Sequence, residues 1–352
     1  MILPRDWAWR ESAQQLRAPT ISTAQRAAWW RGEAARTGLE LGAEDIQRLA
    51  ATAPIDPERI DRSLAAAGRG SGQGAPTVAV VQRVARELSP TPLPQGVRRV
   101  VPTYGWDDIV LSDQRKELLR AIPLHVLQAG RVLEEWGFAS RIPYGQGVAA
   151  LFSGPSGTGK TMAAQIIAGA LGVDLFQVDL SKTISKYIGE TEKNLDAVFD
   201  AAEAAGSVLL FDEADALFGK RTEIKDAHDR HANVEIAYLL QRMESYRGLA
   251  VLTTNLQQNM DDAFVRRLRF VVEFALPDAA ERQRIWRKVF PRSAPLAADV
   301  DVARLARACR SRAAASRTSR CTRRSSPRAT EDRSPRRTSW PPPAGNSSRS
   351  AC

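Results

Sequence analysis

A glycine-rich run near the middle of the chain ends in Gly-Lys-Thr, a combination suited to holding phosphate. Glycines let successive backbone N–H groups turn toward one point, where they can surround phosphate oxygens. The run fits the phosphate-binding pattern G-x-x-x-x-G-K-[ST] at every required position, in which Lys160 reaches the β and γ phosphates and the Thr161 hydroxyl holds Mg²⁺. The predicted nucleotide-binding residues of this run are Gly154, Pro155, Ser156, Gly157, Thr158, Gly159, Lys160, Thr161 and Met162.

An acidic pair follows a second apolar stretch further along the chain. Residues 208–211 are Val-Leu-Leu-Phe, and Asp212 and Glu213 come directly after them. If the apolar residues form a buried strand, the pair lies at its carboxyl end, where open α/β sheets bind ligands. Asp212 then suits the Mg²⁺ shell together with Thr161 and water. Glu213 is placed to orient and deprotonate the attacking water, so the two motifs together predict Mg²⁺-dependent ATP binding and hydrolysis.

The segments around both motifs alternate between strand and helix patterns. A helix over 161–168 follows the glycine-rich run, with its N-terminus facing the anion, and another helix is predicted near Asp113–Leu127. This alternation is typical of an α/β protein with a mostly parallel sheet covered by helices. The predicted strands are 148–152, 175–179, 208–211, 250–254 and 271–274.

With these motifs in place, the stretch from Trp106 to about Ala308 resembles one AAA+ ATPase module, of the branch that includes katanin and spastin. Residues 185–193, Ser-Lys-Tyr-Ile-Gly-Glu-Thr-Glu-Lys, are similar to that branch's pore loop. The resemblance implies that Tyr187 and Ile188 line the central hole of a ring and grip a protein substrate. A packed loop aromatic is the alternative interpretation of Tyr187.

Two further stretches resemble catalytic parts of the same family. Leu-Thr-Thr-Asn at 252–255 is similar to the polar sensor strand, which implies that Asn255 hydrogen-bonds the γ phosphate or the attacking water. Residues 261–270 match the arginine-finger stretch, and the family's two arginines fall on Arg266 and Arg269. Three residues apart at a helix end, they would share a face and project to the γ phosphate of a neighbouring subunit.

This arrangement implies a homo-oligomeric ring, expected to be a hexamer. The finger stretch departs from the family pattern at one point, because Arg267-Leu268 stands where the family commonly has Pro-Gly. Arg267 is predicted to form a salt bridge rather than to act as a finger.

A narrower resemblance is to bacterial ATPases encoded with phage-tail-like contractile injection systems. It is carried by Phe218–Arg221, Lys225–Arg230 and Tyr238–Glu244. The resemblance implies a role in assembling or remodelling such particles.

The chain divides by composition into five segments. Asp56-Pro57 marks one helix start in an N-terminal region rich in Arg and Ala, and Ser89-Pro90-Thr91-Pro92-Leu93-Pro94 is typical of a stiff linker. The predicted segments are a helical N-terminal module at 1–88, a Pro-rich linker at 89–103, the AAA+ nucleotide-binding core at 104–277, the start of a helical lid at 278–308, and a basic tail at 309–352.

The tail accounts for almost all of the net charge of +10, because it holds eleven Arg against one Glu and one Asp. It contains no Leu, Ile, Val, Met, Phe or Tyr, so it is expected to be disordered and to leave the lid incomplete. One interpretation is a basic segment for nucleic acid or acidic partners. The other is an out-of-frame end of a GC-rich gene, in which case the charge carries no functional meaning and nucleic acid is not expected as a partner.

No run of the sequence approaches the length of a membrane span, and the first residues lack an apolar signal region. These features predict a cytoplasmic protein with no membrane partner. Two functions are left open: an ATP-hydrolysing ring that remodels, threads or disassembles proteins, and an ATP-binding subunit that turns over poorly because its lid is truncated.

Overall fold

The computed structural model describes residues 21–70, 75–141, 147–183, 190–215, 227–255, 260, 262–289 and 302–308. A six-stranded sheet organises these residues, in the order β1-β3-β4-β5-β2-β6. β1 pairs with β3 in the antiparallel direction, and all other neighbours are parallel. The strands are β1 (Val97–Val100), β2 (Val148–Ser153), β3 (Leu175–Asp179), β4 (Val208–Asp212), β5 (Leu249–Thr254) and β6 (Phe270–Glu273).

The predicted α/β fold with a mostly parallel sheet is confirmed. The five predicted strands agree with β2 to β6 to within one residue at each end. β1 is an additional strand, and it lies inside the segment 89–103 that the sequence assigns to a linker. Its residues Val-Arg-Arg-Val contain no apolar run, and only its pairing with β3 makes it a strand.

Helices cover both faces of the sheet and form a separate group before it. They are α1 (Thr23–Thr37), α2 (Ala43–Thr52), α3 (Pro57–Gly70), α4 (Val78–Glu87), α5 (Asp113–Gly130), α6 (Lys160–Leu171), α7 (Leu180–Thr183), α8 (Glu190–Ala205), α9 (Ala227–Ser245), α10 (Asp262–Val265), α11 (Ala279–Val289) and α12 (Val302–Ala308). A π-helical turn, Arg131–Glu135, continues α5.

The side chains of β2 are buried on both sides of the sheet. Leu151 packs into a core with residues of α8 and α9, such as Phe199 and Met243. Phe152, its neighbour, packs on the opposite face with residues of α5 and α6, such as Ile122 and Ile167. Burial on both faces explains why this strand is a continuous apolar run, which is typical of covered parallel sheets.

Helices α1 to α4 form the N-terminal group, with a core of its own around Trp30, Leu49, Ile60 and Val81. The Asp56 side chain accepts a hydrogen bond from the backbone N–H of Arg59 at 2.8 Å. The start of α3 therefore has the acidic cap and first-turn proline that the sequence indicates.

The segment after β6 begins a small helical pair. Arg282 on α11 donates hydrogen bonds to the carbonyls of Ala306 and Pro277, both at 2.7 Å. Trp286 and Ala306 are buried. The tail from 309 onward and the predicted pore-loop residues Tyr187 and Ile188 lie outside the described residues.

Within the described ranges, no helix is both long and apolar enough to cross a bilayer.

Candidate nucleotide-binding and hydrolysis site

The glycine-rich run forms a loop between the carboxyl end of β2 and the start of α6. Gly154, Gly157 and Gly159 have positive φ angles of 132°, 78° and 102°, conformations that other residues rarely adopt. A Cβ on Gly154 would lie 2.1 Å from the carbonyl oxygen of Phe274, so any side chain there would displace backbone. Helix α6 begins directly at Lys160, which places its N-terminus at the loop, the favourable end for an anion.

Lys160 links the loop to the neighbouring strand β5. Its Nζ donates hydrogen bonds to the carbonyl oxygens of Gly154 and Pro155, at 2.6 and 3.1 Å, and to Oδ1 of Asn255 at 2.8 Å. Burial lowers the pKa of this ammonium group, while the nearby carboxylates of Asp212, Asp215 and Glu213 act to raise it. The ammonium is therefore a partly desolvated donor whose present partners are oxygen atoms that phosphate oxygens could replace.

Asp212 ends β4 and accepts hydrogen bonds on both carboxylate oxygens. Thr253 Oγ1 donates to Oδ1 at 2.6 Å. Gln177 Nε2 and Thr161 Oγ1 donate to Oδ2, at 2.9 and 3.2 Å. The carboxylate is thus oriented from three sides and lies next to the threonine hydroxyl that is predicted to share a metal with it.

Glu213 has φ of 55°, and it is the one non-glycine residue with a positive φ in the described part of the chain. Its backbone N–H donates to Thr253 Oγ1 at 3.0 Å, and the N–H of the next residue, Ala214, donates to the Thr253 carbonyl at 2.9 Å. The chain therefore leaves β4 through a strained turn that is held from β5. Strained backbone of this kind is concentrated at functional sites, and the Glu213 side chain is exposed here.

Asn255 follows β5 and is held by Asp215. The Asp215 carboxylate accepts hydrogen bonds from the backbone N–H of Asn255 at 2.9 Å, from its Nδ2 at 2.8 Å, and from the Thr254 hydroxyl. These bonds fix the amide with Oδ1 toward Lys160. Because an amide nitrogen carries two hydrogens, Nδ2 has a second donor for a phosphate oxygen or a water.

The two predicted finger arginines do not join this cluster. Helix α10 ends at Val265, so Arg266 and Arg269 lie beyond it and do not share a helix face, which corrects the helical expectation. The backbone N–H of Arg269 donates to the Ala149 carbonyl at 3.0 Å instead, which ties this segment to β2. Both side chains are exposed, and within the described residues no hydrogen bond or ion pair joins them to the glycine-rich loop or to Asp212.

Arg267 forms an ion pair with Glu244, with 4.0 Å between Nε and Oε1, as predicted. Its side chain is 55% exposed, so the pair contributes little to stability.

Three polar residues of the site carry no predicted role. Gln177 interrupts the apolar pattern of β3, and Thr253 is a polar residue in the centre of the sheet that is 1% exposed. A polar residue within an otherwise apolar strand is the signal that could have identified both. Asp215 lies two residues after the acidic pair, but its hydrogen bonds to Asn255 depend on the position of β5 beside β4.

The donor set fits a magnesium nucleotide. The Thr161 hydroxyl and the Asp212 carboxylate are hard oxygen donors of the kind that Mg²⁺ prefers. The glycine-rich loop and Lys160 supply backbone and ammonium donors for phosphate at the N-terminus of α6.

The part of the chain that contains the site is similar to known proteins. The family model for the "ATPase family associated with various cellular activities", AAA, matches residues 150–278. The uncharacterized AAA family ATPase y4kL of Sinorhizobium fredii is 31% identical over 265 residues, which cover 73% of this chain and 77% of that protein.

Two other relatives align over less of their length. The cell division cycle protein 48 homolog of Archaeoglobus fulgidus is 31% identical over 65% of this chain and 31% of its own length. A katanin p60 ATPase-containing protein of Danio rerio is 32% identical over 57% of this chain and 42% of its own length. The chain therefore spans less than half of either protein.

Proposed function

The chain belongs to the AAA family of ATPases, and from that premise we propose that it binds Mg²⁺-ATP at the glycine-rich loop and hydrolyses it. The observation that carries the proposal is the cluster at the carboxyl ends of β2, β4 and β5. There Lys160 contacts Asn255, and Asp212 contacts Thr161. These are the group types that neutralise phosphates and hold a metal in phosphoryl transfer.

Each residue has a separate task in this proposal. Lys160 Nζ donates to phosphate oxygens in place of the Gly154 and Pro155 carbonyls, and Thr161 and Asp212 hold the metal. Bound Mg²⁺ would neutralise charge on the phosphates and keep them in position for attack. The Glu213 carboxylate accepts the proton of the attacking water, and Asn255 Nδ2 orients that water or the γ phosphate.

Replacing Glu213 by Gln tests the hydrolytic part of the proposal. Turnover, measured as phosphate release, should fall by about 10²- to 10⁴-fold because the proton acceptor is lost. Affinity for a fluorescent ATP analogue should stay within about threefold, under about 1 kcal/mol. The Glu203→Gln change is the matched control, since Glu203 is an exposed residue near the end of α8 and should affect neither quantity.

Equal loss of binding and turnover in Glu213→Gln would show that Glu213 is structural. ATP binding without measurable turnover in the unchanged protein would favour the second candidate, an ATP-binding assembly subunit. The lid composition favours that candidate, because the sequence loses its large aliphatic residues from 309 onward.

We also propose a homo-oligomeric ring of six subunits in which Arg266 and Arg269 act on a neighbour's nucleotide. The support is that both side chains are exposed and that the described site of one chain has no arginine within hydrogen-bonding distance of its carboxylates. An arginine supplied by a second subunit would stabilise charge in the transition state. Hydrolysis would then depend on assembly.

The ring proposal predicts that turnover per subunit rises with protein concentration. The double change Arg266→Ala and Arg269→Ala should remove turnover, by about 10³-fold or more, while ATP affinity stays near that of the unchanged protein. Arg267→Ala is the matched control, because Arg267 pairs with Glu244 within its own chain. Turnover that is independent of concentration and unaffected by the double change would overturn the proposal.

The substrate is proposed from the sequence resemblance. Tyr187 and Ile188 would grip a protein substrate, and Tyr187→Ala should keep basal turnover while removing its stimulation by substrate. Association with a phage-tail-like contractile injection system is a further proposal that rests on the stretches named above. Of these, Tyr238–Glu244 lies within α9, Lys225–Arg230 enters that helix at Ala227, and Phe218–Arg221 lies outside the described residues.

A further inference from the structure

Thr253 lies at the junction of the metal-binding carboxylate and the hydrolytic carboxylate. β4 and β5 run parallel with Phe211 opposite Leu252, so the next residues, Asp212 and Thr253, are also side by side. Thr253 is 1% exposed, and its hydroxyl is therefore shielded from water and committed to protein partners.

The Thr253 hydroxyl donates one hydrogen bond and accepts another. It donates to Asp212 Oδ1 at 2.6 Å and accepts from the backbone N–H of Glu213 at 3.0 Å. A hydroxyl has one hydrogen and two acceptor lone pairs, so the donor is used on the carboxylate and an acceptor on the amide. One buried atom thus links the two acidic residues.

Both bonds meet a physical need. Glu213 lies directly after β4 in the strained conformation with φ of 55°. Without the Thr253 hydroxyl, its partly buried N–H would lose the acceptor that it has here, which carries a free-energy cost. Asp212 keeps Gln177 and Thr161 on its other oxygen, so the Thr253 bond is what fixes Oδ1. A strained backbone persists only where its surroundings over-determine it.

We propose that Thr253 is a positioning residue for ATP hydrolysis, whose hydroxyl sets the direction of Glu213 relative to Asp212. The inference rests on the proposed function of the same site. Thr253 does not touch the nucleotide in this proposal. It acts by holding the Glu213 backbone in the turn that presents the carboxylate to the attacking water, and by keeping the metal-binding carboxylate in register with it.

The test compares Thr253→Val, which keeps the branched shape and removes the hydroxyl, with Thr253→Ser, which keeps the hydroxyl. In Thr253→Val, kcat should fall by up to about 100-fold, the cost of misplacing a catalytic group by about 1 Å. The KM for ATP and the affinity for a fluorescent ATP analogue should stay within about threefold. Thr253→Ser should recover most of the lost kcat. A purely structural role would not separate kcat from KM in this way.

A second readout needs no nucleotide. Hydrogen exchange of the peptide spanning 208–215 should speed up in Thr253→Val, because the Glu213 amide loses its acceptor, and should be near normal in Thr253→Ser. Exchange in peptides from α1 to α4 should be unchanged in both variants, which confirms that the fold is intact.

The outcomes separate the two proposals. If the unchanged protein hydrolyses ATP and folded Thr253→Val has the same kcat, the positioning role is wrong and the proposed function stands. If exchange at 208–215 is also unchanged, the hydrogen bond itself is overturned. If the unchanged protein has no turnover, the proposed function fails, and the exchange experiment still decides whether Thr253 holds Glu213.

Discussion

The two ends of the parallel sheet are built in opposite ways. At the carboxyl ends of the strands, polar side chains form hydrogen bonds between elements, Lys160 with Asn255 and Thr161 with Asp212. At the amino ends, the N-terminal helices are fastened directly onto the core. Arg48 and Gln82 donate to the carbonyls of Ala170 and Leu171, at 3.0 and 3.1 Å.

The amino end also depends on close backbone contact. Gly206, just before β4, has φ of 63°, and a Cβ there would lie 2.5 Å from the Thr52 carbonyl oxygen. Arg86 of α4 and Arg99 of β1 both pair with Asp174, which is 4% exposed. These contacts hold the N-terminal helices against the core through buried or tightly packed partners.

The difference indicates where a ligand can replace existing hydrogen bonds at little cost in free energy. Side-chain bonds among charged groups can be replaced by a ligand that brings oxygen atoms of its own. The close packing of a backbone carbonyl against a glycine cannot be replaced by a ligand in this way. We therefore expect substitutions at the carboxyl end to alter nucleotide binding or hydrolysis with little effect on stability. Substitutions at the amino end should lower stability with little effect on nucleotide binding or hydrolysis.

The largest effect on nucleotide binding is expected at Lys160. Lys160→Met should weaken ATP binding by about 100-fold or more, since hydrogen bonds from a charged group contribute about 1.5–3 kcal/mol each. The midpoint of thermal unfolding should move by no more than about 3 °C, because the partly desolvated ammonium is itself costly to bury. Binding is measured by titration with a fluorescent ATP analogue.

The control for this change is Lys182→Met, at an exposed lysine of the same sheet end that pairs with Asp179. It should alter neither affinity nor the unfolding midpoint. Unchanged affinity in Lys160→Met would contradict the assignment of the glycine-rich loop as the phosphate site.

The parts of this site that lie close together in the chain could be predicted from the sequence. The strand, loop and helix around Lys160 follow from a contiguous pattern, and Asp212 and Glu213 follow from an apolar run that ends in two acids. Each of these sequence patterns identifies one strand and the residues at its carboxyl end. The α/β fold class follows from the alternation of strand and helix patterns along the chain.

What could not be predicted depends on partners that are distant in the chain. β1 is a strand because it pairs with β3, and its own residues carry no strand pattern. Thr253 reaches Glu213 only because β5 lies beside β4. The position of the N-terminal helices against the core could not be predicted either. In the sequence Gly206 is an ordinary turn glycine, and only the structure shows that Thr52 packs against it.

The largest effect on stability is expected at Gly206, where the free energy of unfolding should fall and turnover per folded molecule should not. Gly206→Ala should cost about 1–2 kcal/mol for the left-handed backbone and about 1–3 kcal/mol more for the clash with Thr52 and Pro54. Gly38→Ala is the matched control, because Gly38 has φ of 71° and nothing within 4 Å of its Cβ position. It should show the backbone cost alone.

Both glycine variants are measured by chemical denaturation, with turnover per folded molecule as the second quantity. Equal losses of stability at Gly206 and Gly38 would show that the contact with Thr52 is unimportant. A fall in turnover per folded molecule for Gly206→Ala would contradict the expectation that the amino end of the sheet affects stability and not hydrolysis.

The smallest effect is expected at Gln82, whose amide lies buried between the N-terminal helices and the core. Its Nε2 donates to Thr52 Oγ1 at 2.8 Å and to the Leu171 carbonyl at 3.1 Å. Gln82→Leu keeps a similar volume but leaves both acceptors without this donor, so the free energy of unfolding should fall by about 1–2 kcal/mol.

Gln47→Leu tests whether burial decides that cost. Gln47 also bridges the helical group and the core, through a 3.3 Å bond from Nε2 to Glu135 Oε1, but this bond is exposed. Water can replace it, so the loss should be no more than about 0.5 kcal/mol. If Gln47→Leu and Gln82→Leu cost the same, burial of a hydrogen bond does not affect how strongly it holds the N-terminal helices to the core. A clearly smaller loss for Gln47→Leu would show that the exclusion of water determines the cost.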